Sequence, residues 1–559
     1  MIKILYKRGD LRYIFVDGDR NDLLNLEKYL NKIPQYMFLP SFRGVPKPVV
    51  FLNRFKLETG KVIFYCHAGL WKVIYDWCTS NNIKIEGIDN NFKYTDFNMS
   101  LKDFTDYVNS WGMSLTPYDY QIKAAWLILK YRFSLSQIAT RGGKTLIAYM
   151  VFRYMLEHGA KKILMIVPSI QLVKQGVEDF KDYQEFFTTE QIWAKGEYCA
   201  TSNLTIGTFQ SLVKRCDRRS EKYDPKFFKD YDVVCLDEAH TAKCESINKI
   251  LGTDWQKQVK LRFGFSGSLP KEDTIEWFEC NSLIGPKIQD IRAKELMDGG
   301  FITPIEIHQI YIKHEMDEEL LDNYIECGEY LNSSYKIVDG KKVTLEPFKR
   351  KFTMIHEKTL PFAIAESKKL YAKSEYVQYL VDLCKANGSN LLMLEQMLLH
   401  QDNKRIEIMD GLLTKTIHKN CIIFAHHVEY LKYLYKHFKE KFPDRPVYII
   451  NGSINLKKRQ EIVNNMLTDK EAILLASYSC VGTGLTFKNI DFGIFAQSFK
   501  SEVINKQALG RGLCLANDKD KYRLYDLIDC FPTKRLEVQG RVKNKLYKSE
   551  GFEVYKYNV

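Results

Sequence analysis

Ala139-Thr140-Arg141-Gly142-Gly143-Lys144-Thr145 sets two glycines, a lysine and a hydroxyl between a strand-length and a helix-length segment. Ser134 to Ile138 can end in a strand, and Leu146 to Met155 is an apolar run of helix length. A turn between them aims backbone N–H groups and the positive end of a helix at an anion. Thr140, Arg141, Gly142, Gly143, Lys144 and Thr145 are therefore the expected phosphate cradle. Lys144 can reach the β- and γ-phosphates of a nucleotide, and the Thr145 hydroxyl can ligate Mg2+. The strict G-x-x-x-x-G-K-[ST] pattern is not met, because Ile138 stands at its first glycine, and Arg141 is unusual in a loop that favours small residues. An ordinary Gly-Gly turn closing on a base is the competing reading.

About ninety residues on, Leu236-Asp237-Glu238-Ala239-His240 ends the segment Tyr231 to Leu236, which is apolar from Val233 and reads as a buried strand. Open α/β sheets present ligand groups at the carboxyl ends of their strands. Asp237 there can hold Mg2+, and Glu238 can orient and deprotonate an attacking water. Two adjacent acids after a strand are otherwise a solvated loop, but a Lys-Thr loop upstream argues against that. Together the two strings imply hydrolysis of a nucleoside triphosphate.

The elements that must position these groups follow from the whole chain. Its 559 residues suffice for three or four domains, and 45% hydrophobic with 27% charged residues is the composition of a globular protein. Lys plus Arg (82) over Asp plus Glu (69) leaves +13, which is compatible with a polyanionic partner. The 13 cysteines form no C-x-x-C pair, so neither a structural zinc site nor a disulfide framework is expected and a reducing cytoplasm fits. No apolar run approaches about eighteen residues, and the N-terminus lacks a signal-peptide core, so no membrane partner is expected.

Residues 1–108 are expected to form a small α+β accessory domain that could bind nucleic acid. It has strands at Ile2 to Tyr6, Leu11 to Val16 and Lys61 to Cys66, and a helix from Asn21 to Leu30 capped by Asp22 or Asn21. A second helix from Gly69 to Cys78 sets Leu70, Trp71, Ile74 and Trp77 to one side. Phe42-Arg43-Gly44 and Arg54-Phe55-Lys56 interleave aromatics with bases, a pattern equally suited to nucleic acid and to a core aromatic beside a solvated base. From 109 to 297 strand-like and helix-like segments alternate as a doubly wound parallel sheet requires. A second alternating region lies within 298–540, with strands at Cys421 to Ala425, Val447 to Ile450, Ala472 to Ala476 and Phe492 to Phe495. It is interrupted by a helix-rich insertion at about 325–395 that carries a hairpin signal at Asp339-Gly340, and residues 541–559 read as a basic tail. The fold class is α/β: two tandem RecA-like doubly wound parallel-sheet domains, a small α+β N-terminal domain and a helix-rich insertion.

With both strings placed, the chain resembles the superfamily 2 helicases, whose DEAH box is spelled by Asp237-Glu238-Ala239-His240. Tyr118 to Gln121 looks like their adenine-reading Gln element, and Val167-Pro168-Ser169 and Gly207-Thr208-Phe209-Gln210 look like two nucleic-acid contact elements. Phe265-Ser266-Gly267-Ser268-Leu269 looks like motif III, Ile422 to His426 like motif IV, Ala476-Ser477-Tyr478 through Gly482-Thr483-Gly484 like motif V, and Gln507 to Arg511 like motif VI. The Ser-Gly-Ser-Leu form of motif III, motif V continuing to Lys488-Asn489, and Asp526-Leu527-Ile528-Asp529 are similar to the UvsW-type recombination helicases of tailed phages.

The resemblance implies a DNA helicase or translocase that uses ATP and Mg2+, and that unwinds or branch-migrates DNA in recombination and repair. Lys144, Asp237, Glu238, His240, Gln507 and Arg511 would be its catalytic set, with Thr145 and Asp237 on the metal. Tyr118, Gln121 and Gly484 would join the phosphate loop on the nucleotide. Pro168, Ser169, Gly207, Thr208, Gln210, Ser477 and Thr483 would meet nucleic acid, and Ser266 and Ser268 would couple hydrolysis to motion. Forked, branched or single-stranded DNA is the implied partner, RNA the alternative; a monomer in the cytoplasm, of the host if the chain is phage-encoded, is expected. One departure stands out: motif VI usually ends in a second arginine, and position 514 is cysteine. Arg511 suffices alone, another base such as Arg523 or a residue of the insertion substitutes, or the motor is slow or inactive and serves as a DNA-binding scaffold. A restriction-type motor subunit would need a nuclease centre, and no metal-ligand cluster outside the nucleotide site suggests one.

Overall fold

In the computed structural model the chain divides into two compact units, Met1–Arg292 and Ala293–Val559. The structure describes all residues except 8–9, 35–36, 38–46, 59, 88–96, 193–201, 225, 244, 253–258, 315–334, 339–340, 345–395, 397–401, 482–488, 498–500, 511, 513–519 and 531–533.

The first unit begins with an α+β module. Strands β1 (Ile2–Lys7), β2 (Asp10–Gly18), β3 (Asn53–Lys56), β4 (Val62–His67) and β5 (Ile85–Glu86) pair in the order β3-β4-β2-β1-β5, antiparallel except where β5 lies parallel to β1. Alternation along the strands puts Ile2, Ile4, Ile14, Val16, Phe64 and Cys66 on one face. That face is buried with Leu23, Leu26 and Leu30 of α1 (Arg20–Leu30) and Val73, Ile74 and Cys78 of α2 (Trp71–Ser80). Phe133 and Phe278 belong to the same core, so the module is packed onto the α/β domain that follows it. Helix α1 is capped by Asp19, which accepts from the Asn21 and Asp22 amides, rather than by Asn21 or Asp22 themselves. Trp71 and Trp77 only flank the core that Leu70 and Ile74 enter. Of the two aromatic-basic strings, Phe42-Arg43-Gly44 lies outside the described residues, while Arg54 of β3 is taken up by Glu27, with Nε 2.6 Å from Oε1.

After α3 (Leu101–Asn109) and α4 (Asp119–Lys130) the α/β domain proper starts. Strands β6 (Phe133–Ile138), β7 (Lys162–Val167), β8 (Thr189–Ile192), β9 (Leu204–Thr208), β10 (Tyr231–Leu236), β11 (Leu261–Ser266) and β12 (Lys287–Ile291) form a parallel sheet in the order β12-β6-β11-β10-β7-β9-β8. Strands β7 and β11 are buried from end to end; β7 accordingly reads as a continuous apolar run after Lys162, while β11 also buries Arg262. Helices α5 (Lys144–Glu157), α6 (Ile170–Tyr183), α7 (Phe209–Cys216), α8 (Glu245–Leu251) and α9 (Ile275–Leu283) cover the two faces through two separate cores.

The second unit repeats the plan. After α10 (Ala293–Asp298), strands β13 (Ile305–Lys313), β16 (Cys421–Ala425), β17 (Val447–Ile450), β18 (Ile473–Ser477), β19 (Phe492–Phe495), β20 (Tyr522–Cys530) and β21 (Glu553–Asn558) build a parallel sheet, order β17-β18-β16-β19-β20-β13-β21. Helices α11 (Asn403–Lys415), α12 (Val428–Lys441), α13 (Leu456–Thr468), α14 (Tyr478–Val481), α15 (Glu502–Leu509) and α16 (Arg535–Ser549) belong to the same unit. The segment from 541 is not a tail. It continues α16, whose Lys543 ammonium is fully buried against Asp526, and then adds β21 beside β13. Most of the insertion at 325–395 lies outside the described residues, and the hairpin expected there is present as β14 (Tyr335–Val338) against β15 (Lys341–Thr344).

The ends of that insertion meet in a buried charge cluster. His314 Nδ1 lies 2.6 Å from Asp402, its Nε2 lies 3.0 Å from Asp529, and Arg405 Nη1 lies 2.6 Å from the same Asp529. Burial pushes the His314 imidazole down, but the bonds to the two carboxylates outweigh it and raise its pKa to about 9. A raised folded-state pKa gives stability that is complete below the ordinary value of 6.5 and lost as pH climbs through about 9. Melting curves between about pH 6 and about pH 10 should show the second unit weakening across that window, with His314→Gln removing the slope. An unchanged slope in the variant would assign it elsewhere.

Candidate active site

Strand β6 delivers the chain to Ala139, and the loop then folds back, with the Gly142 amide on the Ala139 carbonyl at 3.0 Å. Two successive features let it do so. Arg141 has φ +72° and Gly143 φ +76°, both left-handed, and α5 starts at Lys144. Gly143 is required there, because a Cβ would lie 2.0 Å from the Gln121 amide nitrogen. Gln121 is buried and committed locally. Its Oε1 accepts from the Tyr118 amide at 2.9 Å, and its Nε2 donates to the Tyr120 hydroxyl at 3.3 Å and, at the outer limit of a bond, to the Gly142 carbonyl at 3.5 Å. The Tyr120 hydroxyl donates to the same carbonyl at 3.2 Å, and Tyr118 stacks on Tyr120 while remaining 44% exposed. The expected adenine-reading glutamine is thus a strut of the phosphate loop, with the exposed Tyr118 ring beside it.

The DEAH string closes the other wall. Asp237 stands at the end of β10, and its Oδ1 accepts from the Glu238 amide at 3.0 Å. Glu238 has φ +52°, and its carboxylate lies 3.6 Å from Lys144 Nζ and 3.2 Å from His240 Nδ1. His240 in turn meets the Ser266 hydroxyl at 3.0 Å, and that hydroxyl donates to the Ser268 carbonyl at 2.7 Å and accepts from the Ser268 amide at 3.2 Å. Gly267 sits over the loop, where a Cβ would be 3.5 Å from Thr140 Oγ1 and 3.9 Å from Lys144 Nζ. The sequence elements 139–145, 237–240 and 265–269 therefore form one continuous polar surface at the carboxyl edge of the sheet.

The two acids differ in charge environment. Burial and the neighbouring Glu238 charge push the Asp237 carboxyl above its usual range. Burial would do the same to Glu238, but the Lys144 ammonium and the His240 hydrogen bond outweigh it and hold that carboxyl well below the usual range. A hard divalent cation fits these donors. Asp237 is a partly buried carboxylate beside the Glu238 charge, Thr145 offers a hydroxyl, and Mg2+ takes one or two carboxylates with water.

The first-unit residues expected to meet nucleic acid lie at the carboxyl ends of β7 and β9, neighbours in the same sheet. Val167 of β7 is in register with Thr208 of β9, and the Gln210 amide donates to the Pro168 carbonyl at 3.3 Å. Ser169 caps α6 through the Leu172 amide, and Thr208 is buried with its hydroxyl on Ser211. Both hydroxyls thus hold the edge in shape, and Gln210 is the exposed member. In the second unit Ser477 is buried at the end of β18 and Gln507 is half-buried on α15; Thr483, Gly484, Arg511 and Cys514 lie outside the described residues. Arg523 is at the start of β20, bonded to Glu306 at 3.2 Å, and so stands at the opposite end of the parallel sheet from Ser477 and His426. Sequence reasoning missed three supporting residues. Tyr120 holds the loop carbonyl, Gln137 Oε1 accepts from Leu269 at 3.3 Å, and Gln497 Oε1 accepts from the His426 and His427 amides at 2.8 and 3.1 Å. A polar residue ending or following an apolar strand was the available signal for the two glutamines.

A family model described as "Type III restriction enzyme, res subunit" matches residues 114–271, and one described as "Helicase conserved C-terminal domain" matches 404–514. The chain is 24% identical over 460 residues to the ATP-dependent DNA helicase uvsW of Enterobacteria phage T4, covering 80% of this chain and 76% of the relative. The crystal structure of T4 UvsW aligns over 100% of this chain and 99% of its own at 20% identity and a TM-score of 0.43. The ATP-dependent Type ISP restriction-modification enzyme LlaBIII bound to DNA aligns over 86% of this chain and 34% of its own at 14% identity and a TM-score of 0.51, a likeness of fold.

Gly143→Ala tests the strut. A left-handed alanine costs about 1–2 kcal/mol, and its methyl displaces Gln121. The variant should melt lower and bind nucleotide several-fold more weakly, as read by calorimetric titration; affinity equal to wild type would show that Gln121 does not shape the loop.

Proposed function

We propose, for a chain that belongs to the superfamily 2 helicases, an ATP-driven DNA helicase or translocase that unwinds or branch-migrates DNA in recombination and repair. The enzyme class, an ATPase with helicase domains, follows from the two family models and the relative, itself an ATP-dependent DNA helicase. The choice of DNA, the junction and the pathway are the proposal. The observation that carries it is the unbroken chain Lys144–Glu238–His240–Ser266, which links the phosphate loop to the element after β11.

The residues divide the work in physical terms. Loop amides and Lys144 bind the phosphates, and Thr145 and Asp237 would hold Mg2+, which when bound neutralises charge on the triphosphate. Lys144 Nζ lies 3.6 Å from Glu238 and keeps that carboxylate weakly basic. A triphosphate competes for the ammonium. Once Lys144 turns to the phosphates, burial raises the basicity of Glu238, which is then able to orient a water and accept its proton. His240 holds the second carboxylate oxygen and hands any shift of Glu238 to Ser266. Substrate arrival thus arms the base. On the nucleic-acid edge, the Pro168–Gln210 pair and the exposed Gln210 suit backbone contacts, which bring low sequence preference and steep salt dependence.

The RNA-directed alternative uses the same machinery, and the scaffold reading rests on Cys514 alone. Steady-state ATP hydrolysis with forked DNA, duplex RNA or no polymer separates them. Forked DNA should stimulate turnover most, Lys144→Ala should abolish it, and Glu238→Gln should lower it by roughly 10²–10⁴-fold with ATP binding retained. Stimulation by RNA alone would move the proposal to RNA, and DNA binding without any hydrolysis would establish the scaffold.

A further inference from the structure

The outward face of the N-terminal sheet is apolar where polar residues are the rule. Successive residues of a strand point to opposite faces, and the core shared with α1 and α2 takes Ile4, Ile14, Val16, Phe64 and Cys66. Register then sets Leu5, Phe15 and Tyr65 in one row across the other face, with Tyr13 to one side of that row and Ile63 and Phe55 to the other. None of these six belongs to the core beneath the sheet or packs against it. Leu5 is 41% and Phe55 57% exposed, and the other four are half-buried. Arg54 turns the opposite way, to Glu27 of α1, so the ring of the Arg54-Phe55-Lys56 string is the part that faces outward. An antiparallel sheet with one wet face ordinarily sets polar side chains there, and an apolar patch in their place marks a contact site.

The chemistry of the face says what it would hold. Its apolar surface is mostly aromatic, and the Tyr65 ring centroid lies 6.0 Å from that of Tyr13 and 6.3 Å from that of Phe15, so rings of neighbouring strands stand side by side. The rim carries lysines in excess of acids. Lys61 and Lys84 lie 3.4 and 2.9 Å from Asp17 and Glu86 in solvent-exposed pairs, and the exposed Lys3 is in register with both acids. Nucleobases stack on aromatic rings whatever their sequence, while cations beside the rings take the phosphates. A duplex keeps its bases stacked on one another, so such rings select an unpaired strand. We propose that the outward face of β3, β4, β2 and β1 binds an unpaired nucleic-acid strand, with Phe15, Phe55 and Tyr65 stacking on its bases and Lys3 and Lys61 meeting its phosphates. The choice of a nucleic acid rests on the motor reading, but the contact is separate from the edge at Pro168 and Gln210. No residue of the phosphate loop takes part, so binding here requires no ATP.

The test uses the full-length chain without nucleotide, labelled oligo(dT) and oligo(U), and fluorescence anisotropy. Phe55→Thr and Tyr65→Thr keep a residue suited to a strand, and Phe55 is mostly exposed, so both variants should retain the melting transition. Each should bind oligo(dT) roughly 5- to 100-fold more weakly, while Phe55→Tyr, which keeps the ring, should match wild type. Lys61→Gln should weaken binding modestly and lower the salt slope by about 1. A strand bearing 5-iododeoxyuridine, irradiated on the wild type, should crosslink to peptides holding Phe15, Phe55 or Tyr65. Equal binding of oligo(U) would support stacking that ignores the sugar, and a preference for oligo(dT) would support the same face with DNA as the strand. Affinities of Phe55→Thr and Tyr65→Thr within about twofold of wild type, with crosslinks confined to the α/β domains, would overturn the proposal. So would a change in sedimentation of these variants at unchanged oligonucleotide affinity, which marks a contact between copies of the chain. A chain that hydrolyses no ATP yet crosslinks through this face loses the motor reading alone; one that hydrolyses ATP under DNA stimulation and does not crosslink here loses this inference alone.

Discussion

The ion pair between Lys144 and Glu238 is the contact on which the first unit is organised. It joins the start of α5 to the end of β10, two places ninety residues apart in the chain, and it exists only if β6, β11 and β10 are adjacent and parallel. That adjacency is bought by cores on both faces of the sheet, Ile138, Ile147 and Phe263 on one and Leu135, Leu236 and Ile284 on the other. A partly buried pair of this kind contributes little net stability, because desolvation offsets the attraction. Its value is in reactivity: the same ammonium that neutralises Glu238 is the one a phosphate must take.

Strain is concentrated where the chemistry is. In the α/β domain of the first unit, the described non-glycine residues with left-handed backbone are Arg141, Glu238 and Asp273. The first lies in the loop and the second in the DEAH string. Each is held by bonds made by residues on either side, Gly142 to Ala139 and Thr241 to the Glu238 carbonyl at 2.9 Å. The surrounding sheet over-determines both turns, which is how such conformations persist.

How far the sequence could be read depended on the range of the interactions. The loop 139–145, the string 237–240 and the parallel sheets were legible, because a strand, a turn and a helix start are local and buried strands such as β7 and β18 are largely apolar. The commitment of Gln121 to Tyr118, Tyr120 and Gly142 was not, since it depends on α4 lying against the loop. Asp19 was missed as the cap of α1 because the strand before it ends at Gly18, later than its apolar pattern suggested. The basic run from 541 resembled a solvated tail because the partner that buries Lys543, Asp526, sits seventeen residues earlier on β20. Arg523 offered a suitable charge, but only the sheet shows that it lies at the wrong end.

The second unit answers a different constraint. An insertion in a parallel sheet has to leave and re-enter without unpairing the strand that precedes it. Here the leaving residue, His314, and the returning residue, Asp402, are bonded to each other, and both are tied through Asp529 and Arg405 to β20, the neighbour of β13. All four side chains are buried, so the charges are balanced within the cluster rather than by solvent. Replacing any one of them leaves an uncompensated charge in the core, a far larger penalty than the pair is worth when intact. The cluster therefore fixes where the stretch between β13 and α11 leaves and re-enters the sheet that carries Ser477.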